Sequence, residues 1–247
     1  MEFSFDGIGS AAQSMSPAAI PTGHNNKGFF KRALMNLFII AFMFGFVELY
    51  TFCLGSGNGL IGLTISLAII SFWRTDIGIK PLQGAFVIWG SFLLTGGATF
   101  LASFHPAIGV FVNFASIYII LTLTSHQPMA KAYYPILSCY LFAQSSPVYG
   151  IDYGLRMIGI AGGGLIVAII YYMRHRKVKR RRNITDIFRE THFCSIRTKF
   201  FIRLTTGLTI AMLIGDFYHV LKPAWISFTV LSLVHPFVNE SRKKIVY

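Results

Sequence analysis

The sequence predicts an all-α, polytopic transmembrane bundle, and three observations carry that expectation. Only 13% of the 247 residues are charged and 54% are hydrophobic, whereas a soluble domain carries charge on roughly 25% of its residues. The apolar residues come in long runs, and Pro81 to Met129 contains no charged residue at all. The cations lie between these runs rather than across them. Mean hydropathy is +0.59 and the formal net charge is +13. That charge alone would fit nucleic acid, but its placement at the ends of apolar runs points to lipid, and no nucleic-acid partner is expected. The three cysteines, Cys53, Cys139 and Cys194, are too few and too scattered for a disulfide scaffold or a metal site.

A bilayer span takes ~20 apolar residues as a helix. Ala33–Leu54 is the first candidate, with one acid, Glu48. Leu60–Trp73 is short and needs flanking residues to cross. The uncharged stretch holds two spans, broken at His105-Pro106. Ala132–Tyr149 contains Pro135 and Pro147, which either kink the span or mark its ends. Leu155–Met173 is Gly-rich, and its Gly159-x-x-x-Gly163 fits close helix packing. Phe200–Tyr218 and Pro223–Val238 complete eight segments. The runs lack the two-residue alternation of barrel strands, and a helix satisfies its own backbone in hydrocarbon. Gly55-x-Gly57-x-Gly59-x-x-Gly62 is spaced like a dinucleotide loop, but no strand precedes it, so it reads as a turn.

Charge placement sets the expected topology. With both termini cytoplasmic, 20 of the Lys and Arg residues fall inside, and only Arg156 and Lys222 fall outside. The positive-inside rule favours this orientation. The localisation expected is a cell (inner, cytoplasmic) membrane. The run from Arg174 to Arg182 is a stop signal lying against anionic lipid. Residues 1–30 read as a flexible cytoplasmic tail, with Glu2 and Asp6 arguing against a signal peptide.

An internal repeat is visible. Arg32–Gly45 aligns with Ile202–Gly215, so that Ala41 meets Ala211 and Gly45 meets Gly215, and an acid follows in each copy, Glu48 and Asp216. Gly59–Thr64 then meets Ala224–Thr229. The expected organisation is therefore a six-helix membrane unit (31–173), a basic cytoplasmic segment (174–199), a hairpin that begins a second repeat (200–239) and a cytoplasmic C-terminus (240–247). Either the protein is a six-helix unit plus a hairpin, or it is part of a longer chain. Such repeats are a common transporter plan.

Trp225-Ile-Ser-Phe-Thr-Val-Leu-Ser-Leu-Val-His-Pro236, followed by Arg242-Lys243, resembles the start of the membrane unit in the fusaric acid resistance (FUSC) and aromatic acid exporter family. There a Trp-x-x-x-Thr helix ends in a polar-Pro corner. The likeness covers most of residues 31–247 and is most specific at 200–244. It implies an inner-membrane transporter that exports small aromatic acids at the expense of the proton gradient. Family members usually add a folded cytoplasmic domain, for which the short 174–199 segment leaves no room. A non-transporting subunit or truncated scaffold, and a passive anion channel, stay open beside that reading.

The candidate site residues are Asp216, Glu48, Arg156, His219, His235 and Trp225. An acid within a span costs roughly 2.5–3.5 kcal/mol at its centre. Helix rise puts Glu48 ~24 Å from Arg32 and Asp216 ~20 Å from Arg203, both in the outer half of the bilayer. They are either proton carriers or partners of a basic neighbour, Glu48 with Arg156 and Asp216 with Lys222. Arg156 either grips a carboxylate or pairs with Asp152 four residues earlier. His105, His219 and His235 stand at span ends, where a histidine titrates or simply caps. The 24 Phe, 11 Tyr and 3 Trp offer stacking surface or interfacial belts. No nucleophile triad or phosphate loop stands out, so no enzyme activity and no cofactor or metal are expected. The partners expected are a lipid bilayer, a small organic anion, and either a second copy or a companion chain completing the second repeat.

Overall fold

The computed structural model describes residues 26–124, 131–178, 182–189, 196–218 and 223–234. Every regular element among them is helical: α1 (Asn26–Leu54), a 3₁₀ turn (Ser56–Asn58), α2 (Gly59–Arg74), α3 (Pro81–Ala102), α4 (Pro106–Thr124), α5 (Tyr134–Ser145), α6 (Ile151–His175), α7 (Ile184–Arg189), α8 (Ile196–Phe217) and α9 (Pro223–Leu233). The chain divides into two units, Met1–Ala41 and Phe42–Tyr247. The first contributes only the start of α1 to the described residues. That helix begins at Asn26, inside the stretch read as tail.

Among the described residues, six stretches are long and apolar enough to cross a membrane: Phe30–Leu54, Ser56–Arg74, Pro81–Ala102, Ala107–Thr124, Ile151–His175 and Arg197–Phe217. The short second segment reaches span length because the 3₁₀ turn runs directly into α2. Gly55 makes this junction possible, since its φ of +89° lies where side-chain-bearing residues are strained. The break at His105-Pro106 falls as expected. His105 Nδ1 accepts the Ala107 N–H at 3.2 Å, so the histidine caps α4.

The other two segments are short, with 12 residues in α5 and 11 in α9. Pro135 stands in the first turn of α5 and Pro147 follows its end, so both prolines bound the helix rather than kink it. At 1.5 Å per residue α5 is about 18 Å long, well short of a ~30 Å hydrocarbon core. It is enclosed by protein instead. Ile136, Leu137, Cys139 and Tyr140 are fully buried, and α2, α3, α4 and α9 pack around it.

Helix α6 is the hub of the Phe42–Tyr247 unit. It packs most extensively on α3 and next on α2. Its glycines receive the neighbouring helices: a Cβ at Gly159 would strike Tyr50 and Leu54, one at Gly163 would strike Ile65, and one at Gly164 would strike Phe92. Close approach between helices is what Gly supplies in a membrane, where burial of apolar surface gives no drive for helix association. Helix α3 carries a stripe of hydroxyls bonded within its own backbone, with Ser91 to Val87 O at 2.7 Å, Thr95 to Ser91 O at 2.9 Å and Thr99 to Thr95 O at 3.0 Å. Helices α8 and α9 pair with each other, α8 also packs on α4, and α9 packs on α5.

The segment read as a basic linker contains α7. The Asn183 N–H donates to Asp186 Oδ2 at 2.8 Å, the Ile184 N–H to Gln83 Oε1 at 3.0 Å, and the Lys80 N–H to Arg182 O at 3.1 Å. Residues 182–184 are thus tied to the start of α3. Arg197 donates to Thr122 O at 3.2 Å and lies over the Phe201 ring. Its guanidinium satisfies a carbonyl in the last turn of α4.

Candidate functional site

One face of α8 carries Thr209, Leu213, Asp216 and Phe217, at spacings that bring side chains onto a shared stripe. Opposite stand Gly109, Val110 and Asn113 of α4, with Ala102 at the α3 end and Gln144 from the last turn of α5. Together they line a cleft of about 350 Å³. It lies where α8 meets α4 and the ends of α3 and α5. Gly109 is needed because the corner is tight: a Cβ there would sit 3.1 Å from Ala102 O.

The cleft walls are apolar, with a few polar groups set into them. Asn113 is buried, and its Oδ1 accepts the Tyr140 hydroxyl at 2.6 Å. Gln144 Oε1 and Thr209 Oγ1 are buried and have no hydrogen-bond partner among the described residues. Leaving such an oxygen unpaired costs about 1–3 kcal/mol, so two of them beside one cleft mark a place where something else can supply the bond. The other buried Thr side chains of α3 and α4 bond within their own helices, for example Thr122 to Tyr118 O and Thr124 to Ile120 O. Asp216 is exposed at the mouth. A carboxylate, two amides and a hydroxyl between apolar walls can accept a proton and hold both ends of a small polar organic molecule.

Arg156 lies on the other side of the α5 end and is only 2% exposed. Its Nε donates to Asn58 Oδ1 at 2.8 Å and its Nη2 to Gly57 O at 3.0 Å; Nη1 donates to Ala143 O at 3.2 Å and to Ser146 O. All these acceptors are neutral oxygens. The expected pairing with Asp152 or Glu48 is not formed. Asp152 is exposed in the first turn of α6, where an acid complements the helix dipole, and Glu48 is exposed on α1. The guanidinium turns inward because the orphan carbonyls at the end of α5 and in the 3₁₀ turn need donors. Arg156 is what allows a short helix to stop inside the bundle.

Of the sequence-derived candidates, then, Asp216 lines the cleft. Glu48 does not; its helix packs through Tyr50 and Leu54 on α2 and α6. Trp225 is 68% exposed at the start of α9, its carbonyl accepting the Thr229 hydroxyl at 2.8 Å. The family-like Trp-x-x-x-Thr pair therefore stacks along one outward face of α9. His219 and His235 lie outside the described residues. Asn113, Gln144 and Thr209 were not singled out from the sequence. Asn113 gave a signal, being an amide in the middle of an uncharged apolar run. Thr209 gave none, because a threonine normally hides its hydroxyl in its own helix.

No family model, curated protein or solved structure matches this chain.

Proposed function

We propose that this multi-pass helical protein is a membrane transporter, and that it drives efflux of small aromatic organic acids with the proton gradient, as the likeness of Trp225–Pro236 to FUSC-type exporters implies. The observation that carries the reading is the cleft itself. It joins a titratable acid, Asp216, to the unpaired oxygens of Thr209 and Gln144 at the junction of the two helical sets, the position substrate sites occupy in repeat-built transporters.

A hydroxylated aromatic acid suits this arrangement. Its phenolic O–H donates to the ionised Asp216 carboxylate, and its ring lies against Val110, Leu213 and Phe217. Its own carboxylate takes hydrogen bonds from the Thr209 hydroxyl and the Asn113 amide N–H, while Gln144 Oε1, which can only accept, takes a hydroxyl of the substrate. A proton arriving from outside on Asp216 discharges the carboxylate and weakens its hold on the phenol, so the substrate leaves outward, and the next anion to bind from inside displaces that proton inward. One proton is thereby exchanged for one anion. The cations around the other end of the spans raise the local concentration of anions there. In this scheme that basic end faces the cytoplasm.

The test is efflux of a labelled hydroxybenzoate from cells or proteoliposomes containing the chain, with and without an uncoupler. Flux that collapses with the proton gradient supports the exporter. Flux that ignores the uncoupler makes the protein a passive anion channel. Absence of flux makes it a non-transporting membrane subunit.

A further inference from the structure

At the basic end of the bundle the last turns of α2 and α6 stand side by side. Between them is a cleft of about 590 Å³ lined by Trp73, Arg74, Arg174, His175 and Val178. The Arg174 guanidinium lies 5.5 Å from the Trp73 ring centroid. Arg74 and Arg174 are both exposed, and among the described residues neither has a carboxylate or hydrogen-bond partner. The nearest acid in sequence, Asp76, accepts from the Gly78 N–H at 3.0 Å and from the Tyr171 hydroxyl at 2.8 Å. The floor is rigid: Tyr171 is fully buried and its ring stacks on His175, whose Nδ1 faces Tyr171 O at 3.0 Å.

A single cation at a helix C-terminus complements the helix dipole and calls for no other explanation. Two guanidinium groups from helices a hundred residues apart line one cleft beside an exposed Trp, and with no acid among the described residues paired to either, an anion can be shared between them. The apolar surface just below decides which anion. Trp73 is 54% exposed, and Ile166, Ile169 and Met173 are exposed on the turns of α6 that lead up to the cleft. A phosphate that carries acyl chains can use this strip, whereas a free phosphate cannot.

We propose that this cleft binds the phosphate headgroup of an anionic phospholipid, with Arg74 and Arg174 on the phosphate oxygens, Trp73 at the glycerol level and the acyl chains along α6. Basic pockets between transmembrane helices recognise headgroups through this chemistry, and Arg is suited to it because its planar fork bonds two phosphate oxygens at once. The proposal does not depend on what the protein transports.

Native mass spectrometry of the intact chain with added phosphatidylglycerol, phosphatidylcholine or inorganic phosphate tests it. The wild-type chain is expected to retain phosphatidylglycerol over phosphatidylcholine. The pair Arg74→Gln/Arg174→Gln should lower that retention by about tenfold, since both planar forks are lost from the phosphate oxygens. Arg176→Gln/Lys177→Gln removes the same charge one turn further on and should change retention by no more than about twofold. Arg74→Lys/Arg174→Lys keeps the charge without the fork and should fall between the two. Equal losses in the two glutamine pairs would mean general surface attraction and overturn the proposal. So would an absent preference for phosphatidylglycerol, or displacement of the lipid by inorganic phosphate.

Discussion

Ala143 and Gln144 are neighbours in the last turn of α5, yet they serve polar centres of opposite kinds. Ala143 gives its carbonyl to Arg156, whose guanidinium donates four of its five N–H groups to oxygens of two segments, the 3₁₀ turn and the end of α5. Gln144 turns the other way, a helical step of about 100°, and leaves Oε1 unpaired beside the cleft with Thr209 and Asp216. The Arg156 centre is closed and holds α5, α6 and the 3₁₀ turn together. The cleft is open, and Gln144 Oε1 and Thr209 Oγ1 beside it have bonding capacity left over among the described residues. A buried polar group that is fully satisfied serves the fold, and one left unsatisfied at the edge of a cavity is available to a ligand.

This contrast makes the two centres respond differently to substitution. The largest expected effect is at Arg156. Arg156→Met strips the donors from Ala143 O, Ser146 O, Gly57 O and Asn58 Oδ1 at once, and should destabilise the protein by about 3–5 kcal/mol. Thermal unfolding in detergent checks this; an unfolding midpoint within a degree or two of wild type would break the comparison. Asn58→Ala removes one acceptor of the guanidinium and the Nδ2 bond to Leu54 O at 2.7 Å, and should cost about 1–3 kcal/mol in the same measurement.

Substitutions toward the cleft should be milder. Tyr140→Phe loses the single hydrogen bond to Asn113 and should cost on the order of 1 kcal/mol. The smallest effect on stability belongs to Thr209→Val, a near-isosteric change that deletes a hydroxyl with no partner. It should leave the unfolding midpoint within about 0.5 kcal/mol of wild type or slightly above it. If the cleft binds as described, the same variant raises the apparent KM for the exported acid several-fold. A large loss of stability in Thr209→Val would mean that its hydroxyl is bonded, and that the cleft is part of the packing rather than a site.

Much of the fold is legible in the sequence because bilayer thickness imposes it. Runs such as Pro81–Thr124 are too long and too free of charge for anything but two spans, and His105-Pro106 can only be the break between them. Legibility fails where protein replaces lipid as the surroundings of a helix. Pro135 and Pro147 offer places for α5 to begin and end, but they do not announce that it can stop short inside the bundle, because the donor that permits this is Arg156, brought in from another helix. The same long-range contact hides the role of Arg156 itself: sequence spacing offers Asp152 as its partner, while the carbonyls that capture it come from the 3₁₀ turn and α5. Asp216 was readable as an acid in an apolar run. Its neighbours Asn113 and Gln144 come from α4 and α5, and only the packing of α8 on α4 unites them.

The central claim is that Asp216 carries the exchanged proton, and proton movement reports on it most directly. In proteoliposomes with a pH-sensitive dye inside, addition of a hydroxybenzoate gradient should drive proton flux with the wild-type chain. Asp216→Asn should abolish that flux while leaving the thermal unfolding midpoint unchanged within about 0.5 kcal/mol, as for an exposed position. Substrate-driven proton flux at the wild-type rate through a folded Asp216→Asn protein would contradict the account.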